Sequence, residues 1–311
     1  MHHLIYKQDA DSIFSNFCLI SSCCIYRLGV SFAGSRRRRL IRPSQYQISL
    51  QCCSKSFTPK KSGGKSASST VFKALQLNLC NSGFAKCYSK GKAVGEGNSA
   101  ISLTTPHVVT LNEICLQDIQ NSLHPTFASS WPDDHTYYVF QPAIDKRTNG
   151  AYKCKNGDQY GIAVIGRVAA SKWSGFKAYG GHYVAQDGGN EQRSFACAAA
   201  SSDHFACTTH LNTTKATAMT QCKALMFEAA PYLKTSTGFS GSTVVGGDLN
   251  LKYDRGDKYN VQNCVPNGYT RKGDGSVQQI TFSNDLKFKD SSKISVPGID
   301  HPGWLVDLTR T

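Results

Sequence analysis

Negative charge is scarce in this 311-residue chain: 21 Asp and Glu stand against 35 Lys and Arg, a formal net charge of +14. The excess is uneven. Residues 1–70 carry eleven basic residues, including Arg36 to Arg39, against Asp9 and Asp11 alone, whereas residues 71–311 carry 24 basic against 19 acidic. A nucleic-acid partner therefore does not follow from the total; the mildly basic body favours a polyanionic substrate without demanding one. No CxxC or His-rich pairing suggests a zinc site for its 13 cysteines either. The chain has no GxSxG elbow for a serine nucleophile and no glycine-rich phosphate loop. Long apolar runs are missing too. Ile13 to Gly34 is interrupted by Arg27, too early for a membrane helix. Its arginines follow the apolar stretch, where a signal peptide would place them before it. No internal repeat is visible.

What is present falls into two parts. Residues 1–70 read as a leader and linker: a signal-like apolar stretch, then a basic segment with "KKSGGKSASS", the composition of a flexible or disordered chain. Residues 71–311 read as one domain. In "VFKALQLNLC", Leu75, Leu77 and Leu79 alternate with Gln76 and Asn78, the period of a strand with one apolar face. "HVVTLNEI", "TYYVFQPAI", "QYGIAVIG", "RSFACAAAS", "HFACTTHLN", "STVVGGDLN", "VQQITFS" and "GWLVDLT" are further strand candidates. "TKATAMTQCKALMFEAAPYLK" places Ala218, Cys222, Leu225, Met226 and Ala229 at helical spacing. Many strands and few helices predict a mixed α/β domain with sheets packed face to face.

Eight cysteines lie in that body. An even, widely spaced set suits disulfides in an oxidising compartment, hence secretion; eight buried thiols in a cytosolic protein is the alternative. Cys80–Cys87 would close a short loop, and Cys197 with Cys207 would bridge two consecutive strands paired as a hairpin. Cys115–Cys154 and Cys222–Cys264 follow by elimination.

"GGDLN", at residues 246–250, raises a separate question, because Gly, Asp and Asn are ordinary turn formers. The same placement recurs, however. Asn78, Glu113, His210, Asp248 and Asn250 each close an apolar segment, and Asp300 and His301 precede the last one. Strand ends gathered at one sheet edge can form a pocket. The residue types suit phosphate-ester hydrolysis. A Glu with an Asn carbonyl offers hard oxygen ligands for Mg²⁺, which acts as a Lewis acid on a phosphoryl oxygen. A His beside an Asp exchanges protons near neutral pH. Asp248 and Asn250 could hold the attacking water and donate to the phosphate.

The ordered set "LQLNL … TLNEI … QYGIAVI … THLN … GGDLN … DHPG" resembles the endonuclease/exonuclease/phosphatase superfamily, which includes deoxyribonuclease I, exonuclease III and the cytolethal distending toxin B subunit. The resemblance spans about Phe72 to Leu308. It implies a four-layer α/β sandwich of two mixed sheets flanked by helices. It also implies Asn78, Glu113 and Asp300 at a metal (Mg²⁺, with Mn²⁺ or Ca²⁺ as alternatives), and Asp248 and Asn250 aligning water and phosphate. His301 would be the general base, His210 the group that protonates the leaving oxygen, and Arg193 a phosphate contact. The sequence departs from the pattern at Asn112, where Gln is usual, and at Gln278, which stands where an Asp supports a catalytic histidine. Asp158 lies where a carboxylate could support the other histidine. The implied activity is a Mg²⁺-dependent phosphodiesterase, foremost a secreted, monomeric DNA endonuclease acting without a membrane span in its body. A sphingomyelinase-like enzyme is the alternative, with Trp173, Phe176 and Tyr179 as membrane-facing aromatics. A catalytically weak binding or toxin-subunit module is the third reading.

Overall fold

The computed structural model describes residues 46–49, 53–58 and 70–311. The signal-like stretch and the arginine run lie outside these residues. Two seven-stranded mixed sheets dominate. One runs, in spatial order, Tyr46–Ser49, Phe176–Tyr183, Ser194–Ala200, His204–His210, Ser242–Asp248, Gln278–Ser283 and Tyr269–Gly273. The other runs Leu286–Ile294, Gly303–Arg310, Val71–Asn78, Val108–Cys115, Tyr160–Ala169, Asp134–Pro142 and Cys53–Phe57.

Alternation along the strands builds the layers. Ala196, Ala198, Ala200, Ala206 and Val244 of the first sheet meet Phe72, Val108, Tyr137, Val164 and Val306 of the second in a shared core. The opposite face of the first sheet, with Phe195 and Phe205, packs on a helical run from Lys215 to Thr237 through Ala218, Cys222, Leu225, Met226 and Ala229. The opposite face of the second sheet, with Leu75, Leu77 and Leu111, is covered by Lys92–Thr104 and by helical turns from Leu116 to Ser130. The result is the expected helix–sheet–sheet–helix sandwich.

Each sheet contains one parallel strand pair joined through a helix. Val71–Asn78 lies beside Val108–Cys115 across the helix Lys92–Thr104. His204–His210 lies beside Ser242–Asp248 across the Lys215–Thr237 run. All four strands run toward the same end of the sandwich, so their C-terminal residues gather there. In open α/β sheets this is the end where ligands bind.

Among the described residues the disulfides are Cys80–Cys87, Cys115–Cys154, Cys197–Cys207 and Cys222–Cys264, as expected. The segment read as linker differs from expectation, since Tyr46–Ser49 and Cys53–Phe57 each add an antiparallel edge strand to a sheet. The glycines of "GGDLN" do not form a turn. Ser242–Asp248 is strand throughout. A Cβ on Gly246 would lie 2.3 Å from Thr110 Oγ1 of the facing sheet, and one on Gly247 would lie 2.1 Å from the Thr209 carbonyl oxygen. Glycine is used here for close approach of one layer and one strand to the next.

Candidate active site

Asn78, His210 and Asp248 are the last residues of their strands, and His210 is directly opposite Asp248 in the parallel register. Glu113 sits where the Val108–Cys115 strand slips register, with φ of 53°. A left-handed residue at a bulge re-aims its side chain, and strain of this kind is tolerated where the surroundings hold it. Asn250, two residues past its strand, also has positive φ, 50°.

These side chains meet. Asn78 Nδ2 donates to Glu113 Oε1 at 2.9 Å and to Asp248 Oδ2 at 3.1 Å. Asp248 Oδ1 accepts from the Asn250 backbone N–H at 3.1 Å. His301 Nε2 lies 3.6 Å from Asp248 Oδ2 and 3.9 Å from Asp300 Oδ2. His210 Nε2 lies 3.9 Å from Glu113 Oε1, while Arg193 Nη1 is 2.7 Å from His210 Nδ1 and 3.1 Å from Glu191 Oε1. One hydrogen of the Asn250 amide is held by the Leu211 carbonyl at 2.8 Å. Asp300 is the outlier. Its side chain is 55% exposed, and its carboxylate lies near the sulfurs of Cys80 and Cys87.

Beneath this cluster runs a buried layer of amides that sequence reading missed as functional. Gln76 Nε2 donates to Asn112 Oδ1 at 2.7 Å and to Gln278 Oε1 at 3.1 Å. Asn112 Oδ1 also accepts the Asp248 backbone N–H at 2.7 Å, and Gln278 Nε2 donates to Asp248 Oδ2 at 2.7 Å. Gln278 therefore bonds the carboxylate that faces His301 and the Gln76 amide, where the sequence suggested that it holds an imidazole. Asp158 likewise supports no histidine: it accepts the Gln117 backbone N–H at 2.6 Å. The legible signal for the amide layer was the run of polar residues on the inward face of otherwise apolar strands. Burying such groups is tolerable only when they bond one another.

Burial sets the electrostatics. It pushes the Glu113 carboxyl up, against the hydrogen bond from Asn78 and the Arg193 charge. It pushes His210 well below the ordinary imidazole range, aided by the Arg193 charge and by His301. Glu191 is raised by burial, with Arg193 opposing.

A divalent cation fits this donor set. Glu113 is a largely buried carboxylate whose ionised form lacks a full counter-charge, and its neighbour Asn78 has a second hard oxygen, which here accepts the Cys80 backbone N–H at 3.1 Å while the amide nitrogen faces Glu113. Among the described residues, the only group of three or more His, Cys, Asp or Glu with mutually close ligand atoms is Cys80, Cys87 and Asp300, and its cysteines are tied in a disulfide.

The aromatics considered for membrane contact are half-buried, each with one face on the protein. Trp173 stacks on His135 at 4.7 Å, Phe176 on Tyr137 at 4.9 Å, and Tyr179 lies against the helix-side core. No helix of the described residues is long and apolar enough to cross a membrane.

No family model matches the chain, and no curated protein sequence matches it. Solved structures do. An endonuclease/exonuclease/phosphatase family protein from Bacteroides thetaiotaomicron superposes with a TM-score of 0.53 at 12% identity, covering 78% of this chain and 95% of that one. The human Nocturnin catalytic domain, with bound sulfate, superposes at 0.53 and 11% identity, covering 84% and 98%. A mannosyl-6-phosphatase of Bacteroides thetaiotaomicron superposes at 0.51 and 12% identity, covering 76% and 99%.

Proposed function

The chain has the fold of endonuclease/exonuclease/phosphatase structures, and from that premise we propose that it is a divalent-cation-dependent phosphoesterase, a secreted nuclease acting on phosphodiesters. The observation that carries the reading is the convergence of Asn78, Glu113, His210, Asp248 and His301 at the shared C-terminal end of two parallel strand pairs. Secretion rests on the four disulfides, which suit an oxidising compartment.

Glu113 would hold the cation, Mg²⁺ by donor type, joined by Asn78 Oδ1 once that amide turns away from the Cys80 N–H, and when bound the cation supplies Lewis-acid polarisation of a phosphoryl oxygen. The chain's own residues supply the rest. Asp248 is fixed by Asn78, Gln278 and the Asn250 backbone, so its carboxylate is aimed before substrate arrives. A water held by Asp248 beside His301 would be the nucleophile, with His301, 26% exposed, taking its proton. The buried amides keep Asp248 and the strand ends in register, because each is hydrogen-bonded across the two sheets.

The test is plasmid nicking run beside sphingomyelin and inositol-phosphate hydrolysis, with Mg²⁺ and with EDTA. Mg²⁺-dependent nicking lost in EDTA is expected. Cleavage of sphingomyelin alone would replace the nuclease assignment, and no hydrolysis in any arm would remove the enzyme reading.

A further inference from the structure

Arg193 has a definite effect on His210 that follows from donor chemistry alone. A guanidinium can only donate. At 2.7 Å from Arg193 Nη1, His210 Nδ1 must therefore be the acceptor, which leaves the ring proton on Nε2. Nε2 is the nitrogen that faces Glu113 and the site, 3.9 Å from Oε1. A doubly protonated imidazole would put an N–H against a guanidinium N–H at that distance, so the contact excludes the cation.

Arg193 is itself held on several sides. Nη1 also contacts Glu191 Oε1 at 3.1 Å. The Arg193 backbone N–H donates to Gln186 Oε1 at 2.8 Å, and its carbonyl accepts from Gln186 Nε2 at 2.9 Å. Its side chain is 13% exposed. Tyr160, Glu191, Arg193 and His210 line one small cleft at this edge of the site. An arginine so enclosed is a fixed part of the site's wall.

We infer that Arg193 is a positioning residue that locks His210 as the Nε2–H tautomer, anchored by Glu191, so that His210 serves the phosphoryl group as a hydrogen-bond donor and does not protonate the leaving oxygen. The inference rests on the phosphoesterase reading and changes the role that the sequence suggested for His210. A neutral imidazole that gave up its Nε2 proton would become an imidazolate, far too basic to form at this step. As a donor it loses nothing: the N–H stays on His210 while charge grows on the phosphoryl oxygen it faces.

Two measurements test this. Nitrogen-15 NMR of the histidine side chains in the full-length protein at neutral pH should show His210 protonated at Nε2 only. The Arg193→Gln variant should mix the two tautomers, and Arg193→Lys, which keeps a donor, should restore much of the wild-type signature. A wild-type His210 protonated at Nδ1, or at both nitrogens, would overturn the tautomer assignment whether or not the protein is an enzyme. The second measurement compares leaving groups. His210→Ala should lose the same factor, about 100-fold, on bis(p-nitrophenyl) phosphate and on a dinucleotide phosphodiester. Near-wild-type activity of His210→Ala on the nitrophenyl ester alone would return His210 to the role of acid, because nitrophenolate leaves without a proton. Absence of hydrolysis by the wild-type protein on both substrates would sink the phosphoesterase reading, and with it the donor role, while leaving the NMR result to decide the tautomer.

Discussion

The strand His204–His210 carries a histidine at each end, and the two are wired in opposite ways. At its start, His204 is fully buried, with Nδ1 2.9 Å from Asp203 Oδ2 and Nε2 2.6 Å from the Tyr137 hydroxyl. Asp203 in turn takes both Arg310 guanidinium nitrogens, at 2.6 and 2.5 Å. Every polar atom of that imidazole is spent on protein. At the other end, His210 spends Nδ1 on Arg193 and keeps Nε2 toward Glu113 at a distance too long for a hydrogen bond. A carboxylate at Nδ1 makes His204 an Nδ1–H tautomer, and a guanidinium at Nδ1 makes His210 the reverse. One end of the strand is closed and structural; the other is left open for a ligand. The sharpest break of the comparison is at the open end. Asp248→Asn and His301→Ala should each lower turnover by two or more powers of ten, about 1.4 kcal/mol per power. His301→Ala should barely change the melting temperature, whereas Asp248→Asn should lower it moderately, because its amide nitrogen must face a buried N–H donor from Asn78, Gln278 or Asn250. Steady-state kinetics beside thermal unfolding would check it, and the double variant should lose far less than the product of the singles. Turnover within threefold of wild type in Asp248→Asn would reduce "GGDLN" to a packing motif.

The closed end should answer with the opposite pattern. Asp203→Asn leaves Arg310 and His204 facing a neutral amide, and should cost about 2 kcal/mol of stability, less than a fully buried ion pair because Arg310 is 23% exposed. Turnover of the folded protein should stay within twofold. Chemical denaturation and kinetics on the same preparation separate the two effects, and a large kinetic loss at unchanged stability would show that the two ends are coupled.

Acid should weigh more heavily on the closed end, where two lowered histidines stand against the one at the open end. His107 stacks on Phe72, which also meets His204 at its edge. Burial, with the charges of Arg167 and Arg310, pushes His107 down to about 2. Burial also lowers His204, against its bond to Asp203. Burial opposes the Asp203 charge, but the hydrogen bonds from His204 and Arg310 outweigh it and hold that carboxyl well below the usual range. The unfolded chain takes up protons on these histidines below about pH 6.5 while the native state does not. Their contribution is thus complete above that pH and is lost as pH falls toward the folded values, with Asp203 adding the same sign below about pH 4. Stability at pH 5 should be lower than at pH 7 by about 2 kcal/mol through His107 alone, with His204 adding to the loss. Urea midpoints at the two pH values would measure it, and Asp203→Asn should flatten the part below about pH 4.

The same comparison explains what could be read in the sequence. The open end was legible, since Asn78, Glu113, His210, Asp248 and His301 stand at the mouths of apolar strands, where polar residues of hydrolytic type have no packing reason to accumulate. Nine strand candidates and the helical run after Lys215 correspond to observed elements because their apolar residues repeat with the period of the element. The helix Lys92–Thr104 was hidden by its small residues: Gly97 and Ala100 pack in its buried face where larger apolar side chains would have declared the period. Leu286–Ile294 was hidden for another reason. It is an edge strand, mostly exposed, and its "KFKDSSK" shows no apolar alternation. The role of Gln278 and the Arg193–His210 contact were illegible because both depend on which sheet positions face each other, 30 and 17 residues apart in sequence.

The smallest expected effect concerns the two edge strands, Tyr46–Ser49 and Cys53–Phe57, neither of which pairs with the His204–His210 strand. Tyr46–Ser49 pairs with Gly180 to Tyr183, and Cys53–Phe57 pairs with Thr136 to Phe140, both at sheet margins. A short edge strand gains about 1 kcal/mol for each net hydrogen bond and loses about 1–2 kcal/mol of backbone entropy for each residue it orders. These nearly cancel over four or five residues. A chain beginning at Thr70 should therefore fold, keep its turnover and lose no more than about 1 kcal/mol of stability. It should differ in solubility, because its loss bares the backbone of Phe176–Tyr183 and Asp134–Pro142, and unpaired edges invite other chains. Light scattering should show concentration-dependent association of the shortened protein while its turnover per folded molecule matches the full chain. A shortened protein that is monomeric and inactive would mean that the edge strands reach the open end through the sheets, and that the site is less self-contained than its hydrogen bonds indicate.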